Sequence, residues 1–161
     1  MERIEGYAPV ADANSRLLVL GTMPSVESLR AGFYYAHPRN AFWRILADVV
    51  GAPLPQTTAE KQALALENGV ALWDVLRACT RRGSLDSAIR NAEANDFAAF
   101  FRDHARIERV LFNGAAAQRL FLRLCPGALA GRASARLPST SPAYTLSFEQ
   151  KRELWRKELL L

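Results

Sequence analysis

The chain has 161 residues, 50% of them hydrophobic, and carries a formal net charge of +5 at pH 7. This length fits one domain with a hydrophobic core, and this composition excludes an intrinsically disordered chain. No apolar run approaches the roughly 20 residues of a membrane span, and the start MERIEGYAPV is unlike a signal peptide. We expect a single domain over residues 1–161 that is cytoplasmic and monomeric, with no membrane partner.

The positive charge favours a polyanionic partner such as nucleic acid, although an Arg-rich composition from a GC-rich genome gives the same balance. Cys79 and Cys125 lack the spacing of a metal site and give no disulfide framework. His37 and His104 are too few and too far apart for a His-based metal site. We therefore expect no metal and no cofactor.

Apolar runs and helical patterns alternate along the chain. In order, they predict a strand at 16–21, helices at 40–51 and 58–69, a strand at 70–76, helices at 84–93 and 96–105, a strand at 109–114, a helix at 115–124, a weak strand at 133–138 and a helix at 147–161. This alternation predicts an α/β fold, a three-layer α/β/α sandwich around a central four-stranded, mostly parallel sheet.

Helix-end signals accompany three of these helices. Typical capping residues and glycines predict Asn40 and Gly51 as the ends of the first helix, Thr58 and Gly69 as the ends of the second, and a capping box of Ser147 and Gln150 for the last. Asn40 can therefore be interpreted as a helix N-cap with a purely structural role, beside any functional interpretation.

Polar segments follow each predicted strand. They read GTMPSVES, WDVLRACTRRGSLD, NG and PSTSPAY. Ligands of an open parallel sheet bind beyond the carboxyl ends of its strands, so these segments predict a site. They contain no phosphate-binding loop, dinucleotide fingerprint or nucleophile elbow. Carboxylate pairs are absent from them except Asp74 and Asp86, and we assign Asp74 to capping or pinning a loop rather than to acting as a base.

Amides, hydroxyls and aromatic rings dominate these segments and the opening stretch YYAHPRNAFW. They are Asn40 and Asn113, Ser25, Ser139, Thr140 and Ser141, and Tyr34, Tyr35, Phe42, Trp43 and Tyr144. Aromatic faces stack on a heterocycle, and an Asn side chain offers a donor and an acceptor to its edge. Hydroxyls and backbone N–H groups bind phosphates without lysine. The inventory fits a nucleobase flipped out of DNA.

The segments LVLGTMPSVESL, YYAHPRNAFW, LWDVL, RGSLD, VLFNG and LPSTSPA together resemble the uracil-DNA glycosylase superfamily. Within it they are most similar to the hypoxanthine (deoxyinosine) DNA glycosylase branch, a near relative of the mismatch-specific G:T/U glycosylases. The resemblance implies an α/β/α fold with a four-stranded parallel sheet, no metal, and hydrolysis of the N-glycosidic bond of a damaged base.

The resemblance also implies residue roles. Asn40 corresponds to the Asn credited with the chemistry of the deoxyinosine branch, whereas Met23 stands where mismatch-specific relatives carry a water-orienting Asn. Tyr35 corresponds to the aromatic residue that stacks on the flipped base, and Asn113 looks like the reader of the base edge. Leu137 stands where many uracil enzymes carry the His that stabilises the departing base.

We interpret the chain as a monofunctional glycosylase acting on DNA that contains deaminated bases, deoxyinosine first and uracil second. No Lys lies in the motif segments, which argues against a Schiff-base lyase step. Besides the catalytic pair Asn40 and Asn113 and the stacking residue Tyr35, the predicted base-binding residues are Gly21, Met23, Pro24 and Ser25, and the predicted DNA-binding residues are Leu137, Pro138, Ser139, Thr140, Ser141, Pro142, Arg77, Arg81 and Arg82. Two alternatives remain: a non-catalytic nucleic-acid binder, which Met23 favours, and an enzyme on free nucleosides or nucleotides.

Overall fold

The computed structural model of the chain describes residues 2–160. The strands are β1 (Arg3–Glu5), β2 (Leu17–Gly21), β3 (Val70–Asp74), β4 (Leu76–Thr80), β5 (Arg90–Ala94), β6 (Arg109–Asn113) and β7 (Ala133–Leu137). The helices are α1 (Val26–Ala31), α2 (Phe42–Val50), α3 (Thr58–Glu67), α4 (Phe97–Asp103), α5 (Ala115–Leu124) and α6 (Phe148–Leu159). No helix within residues 2–160 is long and apolar enough to cross a membrane.

The central sheet has four parallel strands in the order β3-β2-β6-β7. Every residue of β2 is buried because helices cover both faces of the sheet. Alternate side chains point to opposite faces. Leu17 and Val19 pack with α2, α3 and α6, and Leu18 and Leu20 pack with α4 and α5. The predicted α/β/α sandwich is confirmed.

A second sheet, not predicted from the sequence, is antiparallel with the order β1-β4-β5. The predicted strand at 70–76 divides after Asp74, and Val75 N donates to the carbonyl of Gly21 where the chain passes from one sheet to the other. The helix predicted at 84–93 is wrong, because this segment forms a short 3-10 turn (Asp86–Ala88) followed by β5. Its apolar spacing is helical, but pairing with β4 satisfies the backbone of both strands.

The N-cap of helix α2 lies one residue later than the predicted Asn40. Ala41 occupies the N-cap position, and Asn40 instead accepts a hydrogen bond from the Phe42 N–H through Oδ1 at 3.0 Å. Asn40 therefore still satisfies a free N–H of the first turn. Gly51, with φ 71°, ends the helix as predicted.

The other predicted helix ends are nearly all confirmed. Ser147 and Gln150 form the predicted capping box of α6. Gly69, with φ 71°, follows the end of α3. Thr58 is not the cap of α3, because the preceding Thr57 accepts the hydrogen bond from the first turn.

Candidate active site

A cleft of about 610 Å³ opens at the carboxyl ends of the parallel strands. Its walls come from the segment after β2, the loop before α2, the end of β3, the 3-10 turn, the end of β6 and the loop after β7. The volume is within the range of small-ligand pockets, about 300–1,000 Å³. The segments predicted to converge on this edge therefore form one site.

Most of the predicted site residues line this cleft. They are Gly21, Met23, Pro24, Ser25, Tyr35, Asn40, Asn113, Ser139, Thr140, Ser141 and Pro142. The predicted DNA contact by Leu137 is corrected, because its side chain is buried in the core among residues of α2 and α6. Pro138 is outside the cleft, and its carbonyl accepts a hydrogen bond from Trp155 Nε1 at 2.8 Å.

The segment after β2 has structural tasks beside its place in the cleft. Met23 is buried and packs into the core beneath α4 and α5. Ser25 caps α1, because its Oγ accepts a hydrogen bond from the Ser28 N–H at 3.1 Å.

The three arginines predicted to hold phosphates occupy different environments. Arg81 is 5% exposed and donates hydrogen bonds to the carbonyls of Pro24 and Gly83. Its guanidinium fixes the segment after β2, which corrects the predicted phosphate contact. Arg77 pairs with Glu93 across β4 and β5, outside the cleft. Arg82 is exposed on the same loop as Arg81.

Gly21, Asp74 and Tyr35 form the floor of the cleft. Gly21 and Asp74 are paired in register at the ends of β2 and β3. A Cβ atom on Gly21 would lie 2.6 Å from Asp74 Oδ1 and 3.2 Å from Tyr35 Oη. Glycine is therefore required here, since it leaves room for a carboxyl and a hydroxyl at one point of the floor.

The Asp74 carboxyl is the feature that sequence reasoning missed. Only the backbone carbonyl pins a loop, by accepting a hydrogen bond from Asn95 at 2.8 Å. The side chain lines the cleft, and its Oδ2 has no hydrogen-bond partner within residues 2–160. Burial, aided by the charge of Asp86, raises the pKa of Asp74 to about 7. The sequence signal was the pair of carboxylates, Asp74 and Asp86, at this strand end.

Tyr35 is held in an unusual backbone conformation. Its φ of 53° is in the left-handed region, which is rare for a bulky residue and marks stored strain. Its ring packs against Phe42 at 4.6 Å between centroids, and its buried hydroxyl has no hydrogen-bond partner among the described residues. Tyr34 turns into the core and donates to the Ala8 carbonyl at 2.8 Å. Both tyrosines line the cleft, and Tyr35 is the one whose hydroxyl lies beside Gly21 on its floor.

Asn40 combines a fixed acceptor with a free donor. Its backbone N–H donates to the His37 carbonyl at 2.9 Å, and its Oδ1 is held by the Phe42 N–H. The side chain lines the cleft, where Nδ2 makes no hydrogen bond to the described residues. An amide held in this way can donate from Nδ2 to a water molecule or a substrate.

Asn113 holds the loop after β7. Its Nδ2 donates to Thr140 Oγ1 at 3.0 Å, and its Oδ1 accepts from the Thr140 N–H at 2.9 Å. The amide therefore holds the loop with one Nδ2 hydrogen and one lone pair of Oδ1, and its reading of a base edge stays a prediction. Lys151 Nζ also binds the Ser141 carbonyl at 3.0 Å. The loop is therefore fixed from β6 and from α6.

Replacing Asn113 with Ala should lower the free energy of unfolding by about 1–3 kcal/mol, because a buried N–H is left without its acceptor. Urea unfolding measures this change. The Thr140→Ala variant and the double variant complete a cycle, in which the two effects should not add because the residues share hydrogen bonds. Additive effects would contradict the pairing.

The family model for the uracil DNA glycosylase superfamily matches residues 8–160 of the chain. The chain belongs to this superfamily. It is accordingly a DNA glycosylase, a hydrolase that acts on the N-glycosidic bond in DNA. Within residues 2–160, no group of three or more His, Cys, Asp or Glu side chains is placed to hold a metal ion.

Similar proteins come from two Methanosarcina species. Hypoxanthine DNA glycosylases of Methanosarcina barkeri (strain Fusaro / DSM 804) and Methanosarcina acetivorans are 38% and 39% identical to the chain, over 68% of the chain and 70% of each relative. The solution NMR structure of a candidate uracil DNA glycosylase from M. acetivorans has a TM-score of 0.81 and 32% identity, covering 98% of this chain and 99% of that one. The likeness extends over almost the whole fold.

Proposed function

We propose that this glycosylase removes hypoxanthine from deoxyinosine in DNA, with uracil as its second substrate. The observation that carries the proposal is the cleft of about 610 Å³ at the strand ends, which has room for a flipped base and is lined by Asn40, with its free amide donor, and by Tyr35. The similarity to the hypoxanthine DNA glycosylases of the two Methanosarcina species supports hypoxanthine as the preferred base.

In this proposal the damaged nucleotide leaves the duplex and its base enters the cleft. Flipping costs a few kcal/mol, and less for a mispaired base, which itself favours deaminated bases. The ring of Tyr35 stacks on the base. Asn40 Nδ2 orients the attacking water or binds the departing base, and fixed dipoles of this kind stabilise an oxocarbenium-like sugar. The loop after β7 binds phosphates through Ser139 and Ser141.

The reaction proposed is hydrolysis by water alone, which leaves an abasic site. A lyase step needs an accessible amine. No lysine lines the cleft among the described residues. Lys151 is buried, and its Nζ donates to a backbone carbonyl.

The test is formation of abasic sites on duplex oligonucleotides that each carry one hypoxanthine, uracil, mismatched thymine or xanthine. Release of hypoxanthine should be fastest and release of uracil second, whereas a matched undamaged duplex should stay intact. Salt-sensitive binding of DNA with no base released from any duplex would favour the alternative of a non-catalytic nucleic-acid binder. Cleavage of free deoxyinosine but not of the duplex would favour the enzyme on nucleosides.

A further inference from the structure

Two buried polar groups on the floor of the cleft have no hydrogen-bond partner among residues 2–160. Asp74 is 3% exposed, and neither its Oδ2 nor Tyr35 Oη makes a hydrogen bond within residues 2–160. Both groups lie beside Gly21. Burying a polar atom without a hydrogen bond is unfavourable, so two such atoms at one point need a reason. A base bound in the cleft that hydrogen-bonds to the Asp74 carboxyl supplies a reason for one of them.

We propose that Asp74 is a catalytic acid, which in its neutral form donates a proton to a ring nitrogen of the flipped purine as the base departs. This inference rests on the proposed function, since it requires a purine in the cleft. To the proposed mechanism it adds Asp74 and a proton transfer to the departing base, which fixed dipoles alone do not supply.

The surroundings of Asp74 favour its neutral form. The charged and titratable groups facing it are Arg81 from the end of β4, Asp86 from the 3-10 turn, Tyr34 and Tyr35 from the loop before α2, and Tyr7 from the segment after β1. Arg81 is the cation in this set, and its hydrogen bonds go to backbone carbonyls. Burial raises the pKa of Asp74 to about 7, which suits an acid that works near neutral pH.

The proposed step is balanced. As the C1′–N9 bond breaks, its electron pair stays with the purine, and the proton of Asp74 moves to N7 or N3. The base leaves as a neutral molecule. Water adds to C1′, and the proton that it loses restores the acid form of Asp74. Uracil has no basic ring nitrogen, so its release does not use this transfer.

The experiment compares single-turnover rates of the full chain and its Asp74→Asn variant from pH 5.5 to pH 9. Wild-type release of hypoxanthine should fall about tenfold per pH unit above pH 7, because the acid form is lost. The variant should be about 10²-fold slower or more at pH 6, with no fall above pH 7. Release of uracil should change little. An Asp103→Asn variant, altered at an exposed position at the end of α4, is the matched control.

Substrates with 7-deazahypoxanthine and 3-deazahypoxanthine identify the acceptor nitrogen and remain informative even if the variant folds poorly. The analogue lacking the acceptor should slow the wild type and remove its fall above pH 7. Unchanged rate and pH profile in the Asp74→Asn variant would overturn the inference, as would an equal loss on hypoxanthine, both analogues and uracil. If the wild type releases no hypoxanthine, the proposed function fails first and this inference fails with it.

Discussion

Replacing Asn40 with Ala should lower the single-turnover rate of base release by about 10²- to 10³-fold, the effect of losing one fixed donor at a developing charge. Nδ2 of Asn40 lines the cleft without a partner among the described residues, whereas Oδ1 is held by the Phe42 N–H. The donor is therefore free to bind a molecule in the cleft, while the acceptor fixes the side chain. Affinity for DNA should change little, since phosphate contacts dominate it.

Two controls separate chemistry from folding. Asn14→Ala alters an asparagine before β2, at the opposite edge of the sheet, and should leave the rate unchanged. Loss of the hydrogen bond to Phe42 should cost about 1 kcal/mol of stability, which thermal unfolding reports independently of activity. An undiminished rate in Asn40→Ala would move the chemistry to another group on the cleft floor, with Asp74 the next to replace.

The central sheet was predictable because its strands are short apolar runs that end at polar or glycine residues. β2 and β6 are examples, since burial on both faces removes any alternation and leaves a continuous run. The segment at 84–93 was not predictable in the same way. Leu85 and Ile89 have helical spacing, but the backbone of β4 needed a partner, and β5 supplied it.

Site residues were predictable where the residue type and its motif indicate the role. They were missed where the role depends on burial and on neighbours that are distant in the sequence. Asn40 and Tyr35 belong to a short segment whose resemblance to a family indicates their place. Arg81 illustrates the opposite case, because a charged residue in a basic run is usually exposed, yet its hydrogen bonds to two carbonyls bury it. Asp74 was missed because its pairing with Asp86 in the sequence does not show that its carboxyl is buried and, among residues 2–160, without a hydrogen-bond partner at Oδ2.

Asp74→Asn should make the protein more stable at pH 8 than the wild type. The pKa of Asp74 rises from an ordinary 3.8 to about 7 in the folded chain, so its acid form favours folding at low pH. That contribution disappears as the pH rises from about 4 to about 7. Asn does not ionise, so the advantage of the variant should grow over this range. At about 1.4 kcal/mol per pKa unit, it reaches at most about 4 kcal/mol above pH 7.

Urea unfolding at pH 5, 6, 7 and 8 measures this difference, with Asp103→Asn as the control whose stability should follow the wild type at every pH. A difference that does not change with pH would mean that Asp74 is not held as a buried acid. A variant that is more stable and yet slower on hypoxanthine has one physical explanation. The carboxyl is kept at a cost to folding because its proton is used in the cleft, as is common for residues of active sites.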